Sequence, residues 1–196
     1  MQLELELSQY TKSDEVKLFI AIVDDVESTR GCAVSLEQEV VNTFRGKVGS
    51  APICVVAQSD NRKKIKRNKH LTTVGKVLVF YGSDVKAWTI LAVTNSSEEL
   101  RTKFENWKRK ELRYLSSHQL IAFHFTVVNG TEPEDSEEIF SNTFPDIPLS
   151  TLRLLDESSM TGVAHGNRFH PGPVYAMVGF RKFGGENSTG ENVSEI

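Results

Sequence analysis

Hydrophobic residues in this sequence come in short runs, and this limits the chain to a fold built largely from strands. The two longest runs are LFIAIV at 18–23 and VLVFY at 77–81. Such lengths are typical of buried strands, whereas a helix that spans a membrane needs about 20 apolar residues. Because 39% of the 196 residues are hydrophobic and 25% are charged, we expect one soluble domain with a sizeable core.

Strand-like segments outnumber helical ones, and no βαβ alternation repeats along the chain. The pattern predicts an α+β fold in which a mainly antiparallel sheet is covered by one or two amphipathic helices. Residues 1–183 are expected to form a single compact domain, and the polar residues 184–196 a flexible tail. Strands are predicted at 3–10, 16–26, 51–59, 118–128 and 174–183, and a β-hairpin around the GSD turn at 75–96.

Three helices are predicted from capping residues and apolar spacing. The first begins after Ser35 and ends at Gly46, the second covers 96–115, and a short third covers 136–142. The segment VAHGNRFHPGP at 163–173 reads as a loop. Residues 149–158 could form either a strand or a helix.

Cysteine usage and the N-terminal pattern favour an intracellular protein of the nucleus or cytoplasm. Cys32 and Cys54 both lie in apolar contexts typical of buried free thiols. The N-terminus lacks the basic start and apolar run of a signal peptide, so we expect no secretion and no transmembrane segment.

Charge is distributed very unevenly, although the net charge is only −3. Residues 61–115 contain 14 basic and 5 acidic residues, a balance of +9, which leaves −12 on the remainder. An asymmetry of this size is typical of proteins with a polyanionic partner.

The highest density of positive charge is in the basic segment, residues 60–72, which is expected to be a loop. Ammonium and guanidinium groups at this density can neutralise nucleic-acid phosphates and release counterions, with little sequence specificity. The core KKIKR also fits a nuclear import signal. The cations of this segment are Arg62, Lys63, Lys64, Lys66, Arg67 and Lys69.

The helix predicted at 96–115 is amphipathic, with an apolar stripe and a cationic outer face. The apolar stripe is expected to pack on the sheet. The outer face could extend the phosphate-binding surface or lie on an anionic membrane. Its candidate polyanion contacts are Arg101, Lys108, Arg109, Lys110 and Arg113.

Enzymatic interpretations have less support. Asp24 and Asp25 end a predicted strand, as the ligands of metal-dependent nucleases often do, and a histidine could assist them. The histidine pairs His118/His124 and His165/His170 lack the tight spacing of a metal site, and Arg168 between the latter two could contact an anion. No phosphate-binding glycine loop, GxSxG or CxxC motif occurs, so we expect no cofactor and no metal.

These observations predict a non-catalytic binding or assembly protein that engages RNA or DNA phosphates. The acidic segment 132–138 has five acids, which could meet the basic segment of another copy and produce self-association. A viral matrix-like or nucleocapsid-associated structural protein would combine these properties. The alternatives are a metal-dependent nuclease that uses Asp24 and Asp25, and an interaction scaffold whose basic segment is only a nuclear import signal.

Overall fold

A computed structural model describes residues 15–25, 35–59, 74–110 and 117–182. In these ranges the chain forms three helices, α1 (Leu36–Val48), α2 (Ser97–Lys110) and α3 (Ser136–Thr143). The strands are β1 (Val16–Asp25), β2 (Ile53–Ser59), β3 (Val74–Tyr81), β4 (Val85–Leu91), β5 (His118–Val127), β6 (Leu149–Leu154), β7 (Met160–His165), β8 (Arg168–Pro171) and β9 (Val174–Arg181). No described helix is long and apolar enough to cross a bilayer.

The strands form two sheets, which we call sheet A and sheet B. Sheet A has the order β3-β1-β2-β7-β8, and sheet B the order β4-β9-β5-β6. All neighbours are antiparallel except β1 with β2 and β5 with β6. The predicted α+β class and single domain are confirmed. Each parallel pair is connected through a helix, so the described chain contains two βαβ units that the sequence pattern did not reveal.

The apolar core has three parts, which arrange the fold in four layers. One cluster lies between the sheets and includes Leu18, Val56 and Phe125. A second packs α1 on the outer face of sheet A. The third packs α2 and α3 on the outer face of sheet B. Alternate residues of a strand point to opposite faces, which is why the unbroken apolar runs of β1 and β2 can serve two clusters at once.

The two strands flanking the GSD turn do not form the predicted hairpin. β3 pairs with β1 in sheet A, whereas β4 pairs with β9 in sheet B. Thr89 of β4 contacts His165 at the end of β7, 3.1 Å away. Val85 to Thr89 spans about 13 Å, close to the roughly 14 Å from β3 to β7, so β4 runs across the strands of sheet A.

Three local predictions need correction or completion. α1 begins as expected, with the Ser35 hydroxyl accepting the Gln38 amide, but it continues past Gly46 and ends at Gly49, whose φ of 60° favours glycine. The predicted loop 163–173 is mostly the β7–β8 hairpin, which turns at Gly166 and Asn167. Residues 149–154 are strand β6.

Several predicted features lie outside the described residues. They are the strand at 3–10, Cys32, the basic segment, Arg113 and the tail at 184–196.

Candidate functional site

The basic segment joins two strands that lie on either side of β1. β2 ends at Ser59 and β3 begins at Val74, and the strand order β3-β1-β2 separates them by two strand spacings, about 10 Å. Both ends of the connection therefore lie at one edge of sheet A.

The end of β1 lies between these two attachment points. Asp24 and Asp25 pair through the backbone with Gln58 and Ser59, so they share an edge with the basic segment's attachment points. Their side chains are outside the description. Among the described residues, no three His, Cys, Asp or Glu side chains gather where a metal ion could be held.

The described histidines do not join Asp24 and Asp25. His118 and His124 lie on the face of β5 that α2 and α3 cover, so sheet B separates them from sheet A. His165 lies beyond Ala164, which pairs with Ile53 at the start of β2, so it occupies the end of sheet A opposite Ser59. Histidine assistance to a nuclease at the end of β1 therefore finds no support in the described residues.

The cations of α2 contact neighbouring groups of the protein. Arg101 lies 3.5 Å from the Glu98 carboxylate. Lys108 donates to the Thr143 carbonyl at 2.7 Å, and its ammonium lies over the Phe144 ring. Such exposed pairs contribute about 0–1 kcal/mol, so they do not prevent these cations from turning to a phosphate.

These cations are spread around the exposed part of α2. Leu100, Phe104 and Trp107 form the buried face, as predicted. At 100° per residue, Lys108 and Lys110 lie on opposite flanks of that face. Lys108 contacts the end of α3, whereas Lys110 lies beside Ile90 of β4. The helix therefore presents its cations in several directions.

The structure does not bring α2 and the ends of the basic segment into one layer. α2 packs on the outer face of sheet B, whereas Ser59 and Val74 belong to sheet A. Arg168 occupies a third place, as the exposed first residue of β8. The candidate cations that the structure describes are thus divided between two layers.

The acidic segment 132–138 is not simply solvated. Glu132 is buried against His124, and Glu137 lies 3.1 Å from Arg153. Asp135 accepts a hydrogen bond of 2.8 Å from Ser97, which ties α3 to the start of α2. Three of the five acids therefore make contacts within the molecule.

A buried polar cluster around His124 was not predicted as a unit. Its Nε2 atom lies 2.9 Å from the Glu132 carboxylate, which also accepts a hydrogen bond from Thr126. The imidazole stacks on Tyr175 with ring centroids 4.0 Å apart. The sequence contains one signal of this cluster: His124 and Thr126 occupy alternate positions on the buried face of an otherwise apolar strand.

Hydrogen bonding decides the charge state of Glu132. Burial raises the pKa of this carboxyl, but the hydrogen bonds and charge of His124 and the hydroxyl of Thr126 outweigh burial, so the pKa lies below its ordinary value. The Ser136 hydroxyl lowers it further from nearby, without the geometry of a hydrogen bond. Burial, the largest cause, raises the pKa of Tyr175 and keeps its phenol neutral.

This cluster is closed to substrates. His124, Ser136 and Tyr175 are fully buried, and their Nδ1, Oγ and phenol oxygen atoms have no hydrogen-bond partner. Cys54 is equally enclosed, and burial raises the pKa of its thiol to about 12. These groups therefore contribute to structure and not to nucleophilic chemistry.

No known family model matches the sequence, and no curated protein matches it either.

Proposed function

We propose that this protein is a non-catalytic binding protein that engages nucleic-acid phosphates through the basic segment. The observation that carries the proposal is the strand order β3-β1-β2, which attaches both ends of that segment within about 10 Å at one edge of sheet A. Six cations in a connection held at both ends by neighbouring strands give a dense local charge. Such charge favours a polyanion over a small ligand.

The cations of α2 are proposed as weaker, secondary contacts. They point in several directions and already contact Glu98, Thr143 and Phe144. A polyanion would reach only part of them at once. We therefore expect most of the affinity to come from the basic segment.

A pair of variants with equal charge change tests this assignment. The first replaces Lys63, Lys64, Lys66 and Arg67 with Gln, and the second replaces Arg101, Lys108, Arg109 and Lys110 with Gln. At low salt, fluorescence anisotropy with single-stranded RNA should show a loss of about 100-fold or more for the first, and less than about 10-fold for the second. Equal losses would mean that net charge alone governs binding.

The nuclease alternative is tested with Asp24→Ala. On the binding proposal, this variant binds RNA like the original chain, and neither protein cleaves RNA or DNA when Mg²⁺ or Mn²⁺ is added. Metal-dependent cleavage that disappears in Asp24→Ala would replace the proposal with a nuclease.

Self-association and nuclear import remain predictions from the sequence. Because Glu132, Glu137 and Asp135 make internal contacts, fewer acids are available to meet a second copy than the sequence indicates. Size-exclusion chromatography of the same variants reports on association. A normally binding but mislocalised first variant would favour the interaction scaffold.

A further inference from the structure

The β7–β8 hairpin presents three basic side chains on one face. His165 pairs directly with Arg168, and His170 pairs with Val163. Directly paired residues share a face, as do residues two apart in a strand, so His165, Arg168 and His170 lie on the same side. All three are exposed. Diagonal neighbours such as His165 and His170 are about 7–8 Å apart, a distance that one small anion can bridge.

The groups around this face are neutral or positive. From β4, the Thr89 hydroxyl lies 3.1 Å from His165 Nε2. From α1, Arg45 lies close enough to act on His165, although its guanidinium donates to the carbonyls of Gly49, Ala51 and Ala164. The pKa of His165 is lowered by burial first and then by His170 and Arg45, and no carboxylate among the described residues contributes.

Like charges that face each other across two strands destabilise a hairpin. Arg168 is always charged, and protonation of either histidine would add a second charge beside it. An anion on this face would relieve that repulsion. A phosphate group fits best, because its several oxygen atoms can accept from a guanidinium fork and two imidazolium groups together.

We propose that His165, Arg168 and His170 form a phosphate-binding site whose affinity rises as the two histidines become protonated. Thr89 is close enough to donate a further hydrogen bond. The site is separate from the basic segment, because His165 lies at the opposite end of sheet A from Ser59. Its existence does not depend on the proposed function.

Histidine-ring NMR with inorganic phosphate tests the site, with chloride at matched ionic strength as the reference. Phosphate should shift the ring signals of His165 and His170 saturably, raise the pKa of both, and bind at least about ten-fold more tightly at about pH 5.5 than at about pH 7.5. His165→Gln with His170→Gln should abolish the pH dependence. Arg168→Gln should weaken binding at both pH values.

The matched control is Arg181→Gln, which removes an exposed arginine that pairs with Asp84 on β9. It should bind phosphate like the original chain. Shifts that do not saturate, an unchanged pH dependence in the double histidine variant, or an equal loss in Arg181→Gln would each overturn the site.

A second series with a short oligothymidylate distinguishes the sources of the phosphate group. Tighter binding of the oligonucleotide at the two histidines identifies a phosphodiester, and tighter binding of inorganic phosphate identifies a free phosphate ion. The variant that lacks Lys63, Lys64, Lys66 and Arg67 should keep the histidine shifts in phosphate. The double histidine variant should keep its salt-dependent RNA binding if the proposed function is correct.

Discussion

At the scale of single residues, the least expected pair is His124 with Glu132. A carboxylate in the protein interior is costly unless its lone pairs are occupied, and here His124 and Thr126 both contact it. Because Glu132 lies between β5 and α3 in the chain, these bonds hold the connecting segment against the strand. The pair is therefore a structural fastening of the α3 layer.

This fastening should make stability depend on pH. The folded-state pKa of Glu132 is below its unfolded value, so its stabilisation is complete above the unfolded pKa and is lost as the pH falls through the folded pKa. Glu132→Gln should lower the free energy of unfolding at pH 7 by about 1.5–3 kcal/mol and should reduce the loss of stability between about pH 5 and pH 3. Urea denaturation across that range measures both effects.

The control for this prediction is Glu138→Gln, at an exposed position of α3. It should shift the unfolding midpoint little at any pH. If Glu132→Gln keeps the full acid dependence of the original chain, other carboxyls carry it and the fastening has been misassigned.

At the scale of elements, α1 is held to the β7–β8 hairpin by a single side chain. The Gln38 amide donates to the Asn167 carbonyl at 2.7 Å and accepts from the Phe169 amide at 3.1 Å. β8 is a short edge strand of four residues, so few other bonds keep it in place. This contact therefore also steadies the strand that carries Arg168 and His170.

Gln38→Ala should loosen the hairpin more than the whole domain. The loss of two hydrogen bonds should cost about 1–2 kcal/mol in unfolding free energy. The backbone amide of Phe169 should exchange with solvent about ten-fold faster or more, while amides of β1 change only by the global loss. Gln119→Ala, at an exposed position of β5, is the control. Unchanged exchange at Phe169 would contradict this assignment.

Most elements could be predicted from the sequence, but their partners could not. Apolar runs located β1, β2, β5 and β9, because burial of a strand requires such runs. The GSD turn was recognised, yet β3 and β4 enter different sheets, which local pattern does not encode. The Gly166–Asn167 pair is a two-residue hairpin signal that could have identified β7–β8, had the histidines and prolines around it not favoured a loop.

At the scale of the whole molecule, layering explains both the core and the distribution of charge. Two crossed sheets share one apolar core, and α1 covers one side while α2 and α3 cover the other. The sequence located the cationic residues correctly but not their layers, because distance between surface groups follows from sheet order. The closed His124 cluster also depends on contacts between β5, β9 and α3, which no local motif predicts.

The most direct test of the central claim is the salt dependence of RNA binding. Each phosphate contact on a single strand contributes about −0.7 to the slope of log K against log salt concentration, so loss of Lys63, Lys64, Lys66 and Arg67 should make that slope shallower by about 3. The four-residue α2 variant should change it by about 1 or less. A slope near zero for the original chain, or equal slopes for all three proteins, would contradict phosphate binding through the basic segment.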